Sequence, residues 1–186
     1  MSQLIDAAKY FKDEPHQVEA FEWLESQLTE KQLETFFSKY RARKSDAKFG
    51  PAASFDFLVT PHITYGEIAM QQERRRFKYH YQCDVALEIC KYLETVRSHF
   101  GDNPLIITSG YRPADINAQI GGATDSEHLY KDATTGAIDF YIKNVDTYAV
   151  QKYCATTWPY SVGLGAKKGF VHVGIRAGRP RVRWDY

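Results

Sequence analysis

At 186 residues the chain has room for one domain and a small appendage, which excludes a large multidomain enzyme. Hydrophobic residues at 44% and charged residues at 25% sit near the globular average, and Gly and Pro are too sparse for a disordered, collagen-like or repeat-built chain. Lys plus Arg number 24 against 23 Asp plus Glu, a net charge of +1, so bulk electrostatics give no ground for nucleic-acid binding and partners have to be read from local chemistry.

The N-terminal MSQLIDAAKYFKDE carries Asp6 and Lys9 where a secretory signal would need an uninterrupted apolar stretch. No later run reaches membrane-spanning length, so a product that is cytoplasmic at synthesis, with no membrane partner, is expected. Val18, Phe21, Leu24 and Leu28 recur at helical steps, and Leu33, Phe36, Phe37 and Tyr40 do so again after Thr29, which heads a capping box completed by Gln32. These predict a small helical module over 1–45. The shift from RARKSDAK to FGPAAS reads as a linker over 46–60, leaving 61–186 as the main domain.

Thr64 and Glu67 form a second capping box, and Val85, Ile89, Leu93 and Val96 make the apolar stripe of a helix ended by Gly101. Beyond it LIIT (105–108), AIDFYI (137–142), SVGLG (161–165) and FVHVGI (170–175) are short, rich in β-branched or aromatic residues and bounded by Gly or Pro, the pattern of strands. A helix over Asp146–Thr157 interrupts them. The class is α+β: a small, mostly antiparallel sheet with flanking helices, preceded by the helical module. Cys83, Cys90 and Cys154 lack zinc-ribbon spacing and read as reduced core residues. QQERRRFKYH (71–80) and RAGRPRVRW (176–184) interleave cations with aromatics, but a solvated helix face and a charge-blunted edge strand account for them better than nucleic acid does.

Side chains alternate faces along a strand, so Ile138, Phe140 and Ile142 point to the core while Asp139 lies on the opposite face. By the same rule Val171, Val173 and Ile175 point inward and His172 outward. If the two strands are neighbours, Asp139 and His172 converge on one open face, with His128 of the polar stretch DSEHLYKD as a third member. A His, Asp, His set leaves one of zinc's four positions open for water. The same residues also have plainer readings: an ordinary strand histidine, a cap or salt-bridge partner, and a surface histidine. No HExxH-like local motif chooses between the two sets.

SGYRPADINAQIGGA (109–123), SEH (126–128), GAIDF (136–140), GLG (163–165) and FVHVG (170–174) form an ordered series. Over about 60–186 this series resembles the zinc D-Ala-D-Ala carboxypeptidase family, within the wider group of lysostaphin-type endopeptidases and the hedgehog signalling domain. The resemblance implies a hedgehog/D,D-peptidase-like fold and one zinc per chain, held by His128, Asp139 and His172. It also implies that Arg112 holds the peptide's carboxylate or scissile carbonyl as a catalytic and substrate-binding group, with Ser126 beside it in substrate binding.

Two departures from the family pattern stand out. The spacing from His128 to Asp139 is longer than usual, which places an insertion within Tyr130–Thr135, expected as an exposed loop. The resemblance implies a general base three positions before the last ligand, where this chain has Gly169, and several relatives carry an Asp two after that ligand, where this chain has Gly174. Glu127, Asp125 and Asp132 are the nearby acids, with Glu127 the first choice as base. The implied function is a zinc-dependent peptidase, carboxypeptidase or endopeptidase, that cleaves the peptide stems of bacterial peptidoglycan. It would act as a phage lysin or virion-associated hydrolase released to the cell wall, with virion or homo-oligomer contacts through the N-terminal helices. The alternative is a zinc-binding structural or wall-binding module of the same fold without turnover.

Overall fold

Thr64 starts a helix as its residue type requires: its side chain accepts from Glu67 N–H, and the Glu67 carboxylate accepts from Thr64 N–H at 2.7 Å. This box opens α1 (Tyr65–Ile68) directly after the short antiparallel pair β1 (Leu58–Thr60) and β2 (Ile63–Thr64). The computed structural model describes residues 49–186 together with Ser26, Thr29, Lys31 and Gln32, and the chain divides into two units, Met1–Lys48 and Phe49–Tyr186. The helices expected over 1–45 lie outside the described residues, apart from the capping pair itself, in which Thr29 N–H donates to Gln32 Oε1 at 2.9 Å.

The linker expected over 46–60 gives way to packed structure at Phe49. That ring is 8% exposed, stacks on Phe57 at 5.6 Å between centroids and meets Tyr65 edge-on at 5.3 Å. Gly50 and Pro51 turn the chain within the domain instead of separating two domains, with Ala53 N–H bonded back to Gly50 O at 3.0 Å.

The long helix α2 (His80–His99) carries the expected stripe: Val85, Ile89, Leu93 and Val96 are all buried. Each contributes on the order of 1.5–3 kcal/mol by leaving water. It runs out at Phe100, and Gly101 takes the left-handed conformation (φ +72°) that a helix end favours. α2 packs against an inner strand, Gly136–Ile142, of a five-stranded sheet. That sheet contains β3 (Leu105–Ser109), β4 (Gly136–Ile142), β5 (Ser161–Leu164), β6 (Val171–Ile175) and β7 (Arg183–Asp185) in the order β3-β4-β6-β5-β7. The sheet is mixed: the first three pairings are antiparallel, and β7 runs parallel to β5. Helix α3 (Ala114–Gln119) follows β3, and α4 (Thr147–Thr157) begins where Asp146 accepts from Tyr148 N–H.

Two details bear on the site. Asp139 and His172 are direct cross-strand partners, and Gly163 of β5 lies opposite His172 on the other side. The insertion is only partly a surface loop. Lys131, Asp132 and Ala133 are exposed, but Tyr130 is fully buried in the left-handed region (φ 48°), donates to Ala137 O at 3.1 Å and packs on Phe77 and Tyr111. The three cysteines are free and buried, as their apolar spacing implies.

Both basic tracts are occupied inside the domain. Arg74 pairs with Asp115 at 2.8 Å and Arg76 with Glu73, while Arg179 pairs with Glu88 at 2.8 Å. Arg183 donates to the carbonyls of Ala155, Trp158, Tyr160 and Val182.

Candidate metal centre

Three elements deliver the three expected ligands. β4 presents Asp139, β6 presents His172, and a 3-10 turn over Glu127–Leu129 places His128 against them. All three are buried, at 8%, 2% and 1% exposure, and one ligand atom from each lies within 4.8 Å of the others. Asp139 Oδ1 is 2.7 Å from His172 Nδ1, and Asp139 Oδ2 is 3.1 Å from His128 Nε2.

The ring of His128 is fixed by the backbone. Its Nδ1–H donates to Gly110 O at 2.8 Å, and Arg112 N–H donates back to His128 O at 2.8 Å. Gly110 sits there because nothing larger fits: a Cβ would lie 2.2 Å from Ile68 O at the end of α1. With Nδ1 protonated, the Nε2 of the neutral ring carries a lone pair. It is buried without a hydrogen-bond partner and faces a carboxylate oxygen. Two acceptors aimed at each other in a dry site call for a cation between them. A zinc ion, which takes imidazole nitrogen and carboxylate oxygen, fits this donor set.

Burial and pairing act on the three groups in different directions. Burial pushes the His128 imidazolium down, and the Asp139 carboxylate does not offset it. Burial would lower His172 as well, but Asp139 and Glu127 outweigh it and hold the imidazolium up at about 9. For Asp139 burial works upward, and the two imidazoles overcome it and keep the carboxyl well below the usual range.

Glu127 departs from the role expected of it. Its carboxylate does not face the ligand atoms; it meets the opposite edge of His172, accepting from Nε2–H at 3.1 Å. The remaining lone pairs accept from Ser161 Oγ–H at 2.7 Å and Arg176 Nε–H at 2.6 Å. A base has to reach the proton it removes, and an intervening imidazole blocks that path. The other acids offer no replacement: Asp132 is tied to Thr134 and Thr135, and Asp125 is exposed. Gly169 takes φ +86°, a conformation that itself disfavours a side chain.

Arg112 follows β3 and is partly buried. Burial lowers its pKa against the attraction of Asp139 and Tyr186, and its Nε is buried without a hydrogen-bond partner among the described residues. Ser126 is half-buried at the start of the His128 turn, its side chain capping nothing there.

The sequence reading missed the last strand's contribution. Trp184 and Tyr186, two apart and therefore on one face, both reach His172. The indole lies edge-on at 5.1 Å between centroids, and the Tyr186 hydroxyl is 3.0 Å from Nδ1. The signal in the sequence is the alternation WDY directly after the arginines.

No helix among the described residues is long and apolar enough to cross a membrane. No curated protein and no solved structure matches the chain. The sequence model of one family, described as Peptidase M15, matches residues 61–174 and so contains all three candidate ligands, Arg112 and the Glu127 turn. Peptidases of that family use zinc and act on peptidoglycan. With more than half its length under that match and a buried His, Asp, His cluster at the matching strands, the chain belongs to the M15 peptidase family.

Proposed function

We propose that this protein is a zinc-dependent peptidase that hydrolyses an amide bond in the peptide stems of bacterial peptidoglycan, with His128, Asp139 and His172 holding the metal. The observation that carries the reading is the convergence of three buried ligand atoms around the unpartnered Nε2 of His128. Zinc, when bound, supplies a nucleophile at neutral pH by acidifying water and polarises the scissile carbonyl. The chain's own residues do the rest. Arg112 presents a planar fork of donors suited to a peptide carboxylate or a developing oxyanion. Ser126, half-buried at the head of the turn that carries His128, is the substrate-binding group we propose beside Arg112. Tyr186 and Trp184 shield the outer face of His172. In this reading the proton leaves through a group other than Glu127.

The test couples metal analysis of the purified protein to product analysis on purified peptidoglycan. Stoichiometric zinc with release of stem-peptide fragments or free D-Ala is the expected result, and the identity of the product names the bond. Zinc without any product would select a second reading, a zinc-bearing wall-binding module without turnover. That reading is favoured by one observation: the Glu127 carboxylate is engaged on the Nε2 edge of His172, away from Asp139, and position 169 is a left-handed glycine.

The setting we propose, a phage lysin or virion-carried hydrolase, is the expectation from sequence. Lysis of peptidoglycan-bearing cells by added protein tests it. Partner or self-contacts through residues 1–45 are proposed on the same footing, with oligomerisation of that fragment as the measurement.

A further inference from the structure

His172 and Gly174 lie on the same face of β6, two residues apart. A side chain at 174 has no room: its Cβ would fall 1.8 Å from Glu127 Oε2 and 2.9 Å from Ser161 Oγ. The space beside His172 that strand geometry reserves for residue 174 is therefore filled by a carboxylate brought in from the turn before the first ligand. That carboxylate is 4% exposed and engages three donors, His172 Nε2, Ser161 Oγ and Arg176 Nε.

The contact with His172 determines what the ring can do. A carboxylate at Nε2 keeps the proton on that nitrogen, which leaves Nδ1, the atom facing Asp139, as the one available to a metal. It also fixes the ring's rotation and raises the basicity of the ligating nitrogen. His128 receives the equivalent orientation from a backbone carbonyl.

We propose that Glu127 is a positioning residue that sets the metal affinity of the site through His172, and that Gly174 is there to admit it. A carboxylate hung from either 127 or 174 serves, but not both. This rests on the metal reading above and concerns this chain's own residues.

The experiment measures zinc affinity by competition with a chromophoric chelator, and the visible spectrum of the Co2+-loaded protein, on the full chain. Glu127→Ala weakens zinc binding by about 10–100-fold and shifts the Co2+ bands, as loss of a ligand's outer partner does elsewhere. Glu127→Gln keeps the shape and loses the charge, and falls between. Gly174→Asp alone puts two carboxylates in one space and lowers both thermal stability and affinity. Combined with Glu127→Ala, the same Gly174→Asp restores affinity to within about threefold of the parent, less than the loss expected for removing the partner.

Parent-like affinity and spectrum in both Glu127→Ala and Glu127→Gln would overturn the proposal. So would a double variant that binds no better than Glu127→Ala alone while remaining folded. Should Gly174→Asp not fold by itself, the double variant still decides. A parent protein that takes up no zinc at all would be a different failure, that of the metal reading, and would remove the proposal with it.

Discussion

The two histidines of the site are held by different means. His128 is oriented by main chain: Gly110 O accepts from its ring, Arg112 N–H binds its carbonyl, and Gly110 is itself pressed against Ile68 O. His172 is oriented by side chains, with Glu127 on one nitrogen, Asp139 and Tyr186 near the other, and Trp184 against the ring. A ligand held by backbone can be disturbed only by disturbing the fold. A ligand held by side chains can be retuned by single substitutions while the strand stays where it is.

The comparison breaks first at the ligands themselves. His128→Ala and His172→Ala should each bring zinc content from one per chain to background, measured by elemental analysis of protein whose thermal transition is retained. Unchanged zinc in both would show that neither side of the comparison concerns a metal. Next in size is Gly110→Ala, which presses a methyl into the Ile68 carbonyl. We expect a cost of roughly 3 kcal/mol and a fall in Tm of about 10 °C, with zinc affinity falling alongside. Stability lost with metal binding intact would mean that the Gly110 carbonyl does not orient His128.

Arg112 sharpens the contrast, because its backbone belongs to the first group while its Nε has no partner among the described residues. Arg112→Lys keeps charge and loses the fork, so fold and zinc content should match the parent while kcat/KM on a stem peptide drops about tenfold or more. Equal turnover would remove it from substrate binding. The smallest effect is expected at Tyr186. Tyr186→Phe takes away one hydroxyl near His172 Nδ1, worth about 1 kcal/mol at most in the metal-free protein, and should shift Tm by no more than about 4 °C. The shift should vanish once zinc occupies the site, since Nδ1 is then committed. A shift that persists with zinc bound would assign the hydroxyl another partner.

How much of this was legible in the sequence follows the same division. Strand periodicity placed Asp139 and His172 on one face, and the register that pairs them directly agrees with it. The α2 stripe and the Thr64 box were equally readable, because each depends on residues within a few positions of one another. What depended on distant approach was not. Nothing local says that Gly110 lies against Ile68, or that the acid next to His128 turns its carboxylate behind His172 rather than toward the metal position. Turn formers at 50–54 marked a bend correctly, but whether Phe49 stacks on Phe57 or dangles before a linker is decided by rings far along the chain. The parallel pairing of β7 with β5 required knowing which edge of the sheet was vacant.

The segment between His128 and Asp139 has a consequence for how such a site can diverge. Tyr130 and Thr135 are buried at its two ends, and Asp132 gathers Thr134 and Thr135 into a closed turn between them. Length added between such anchors is entropically cheap, since doubling a flexible loop costs only about 0.6 kcal/mol. Lys131–Thr134 is therefore a place where a lineage, or an engineer, can splice in new recognition sequence while the coordination chemistry on either side is inherited unchanged.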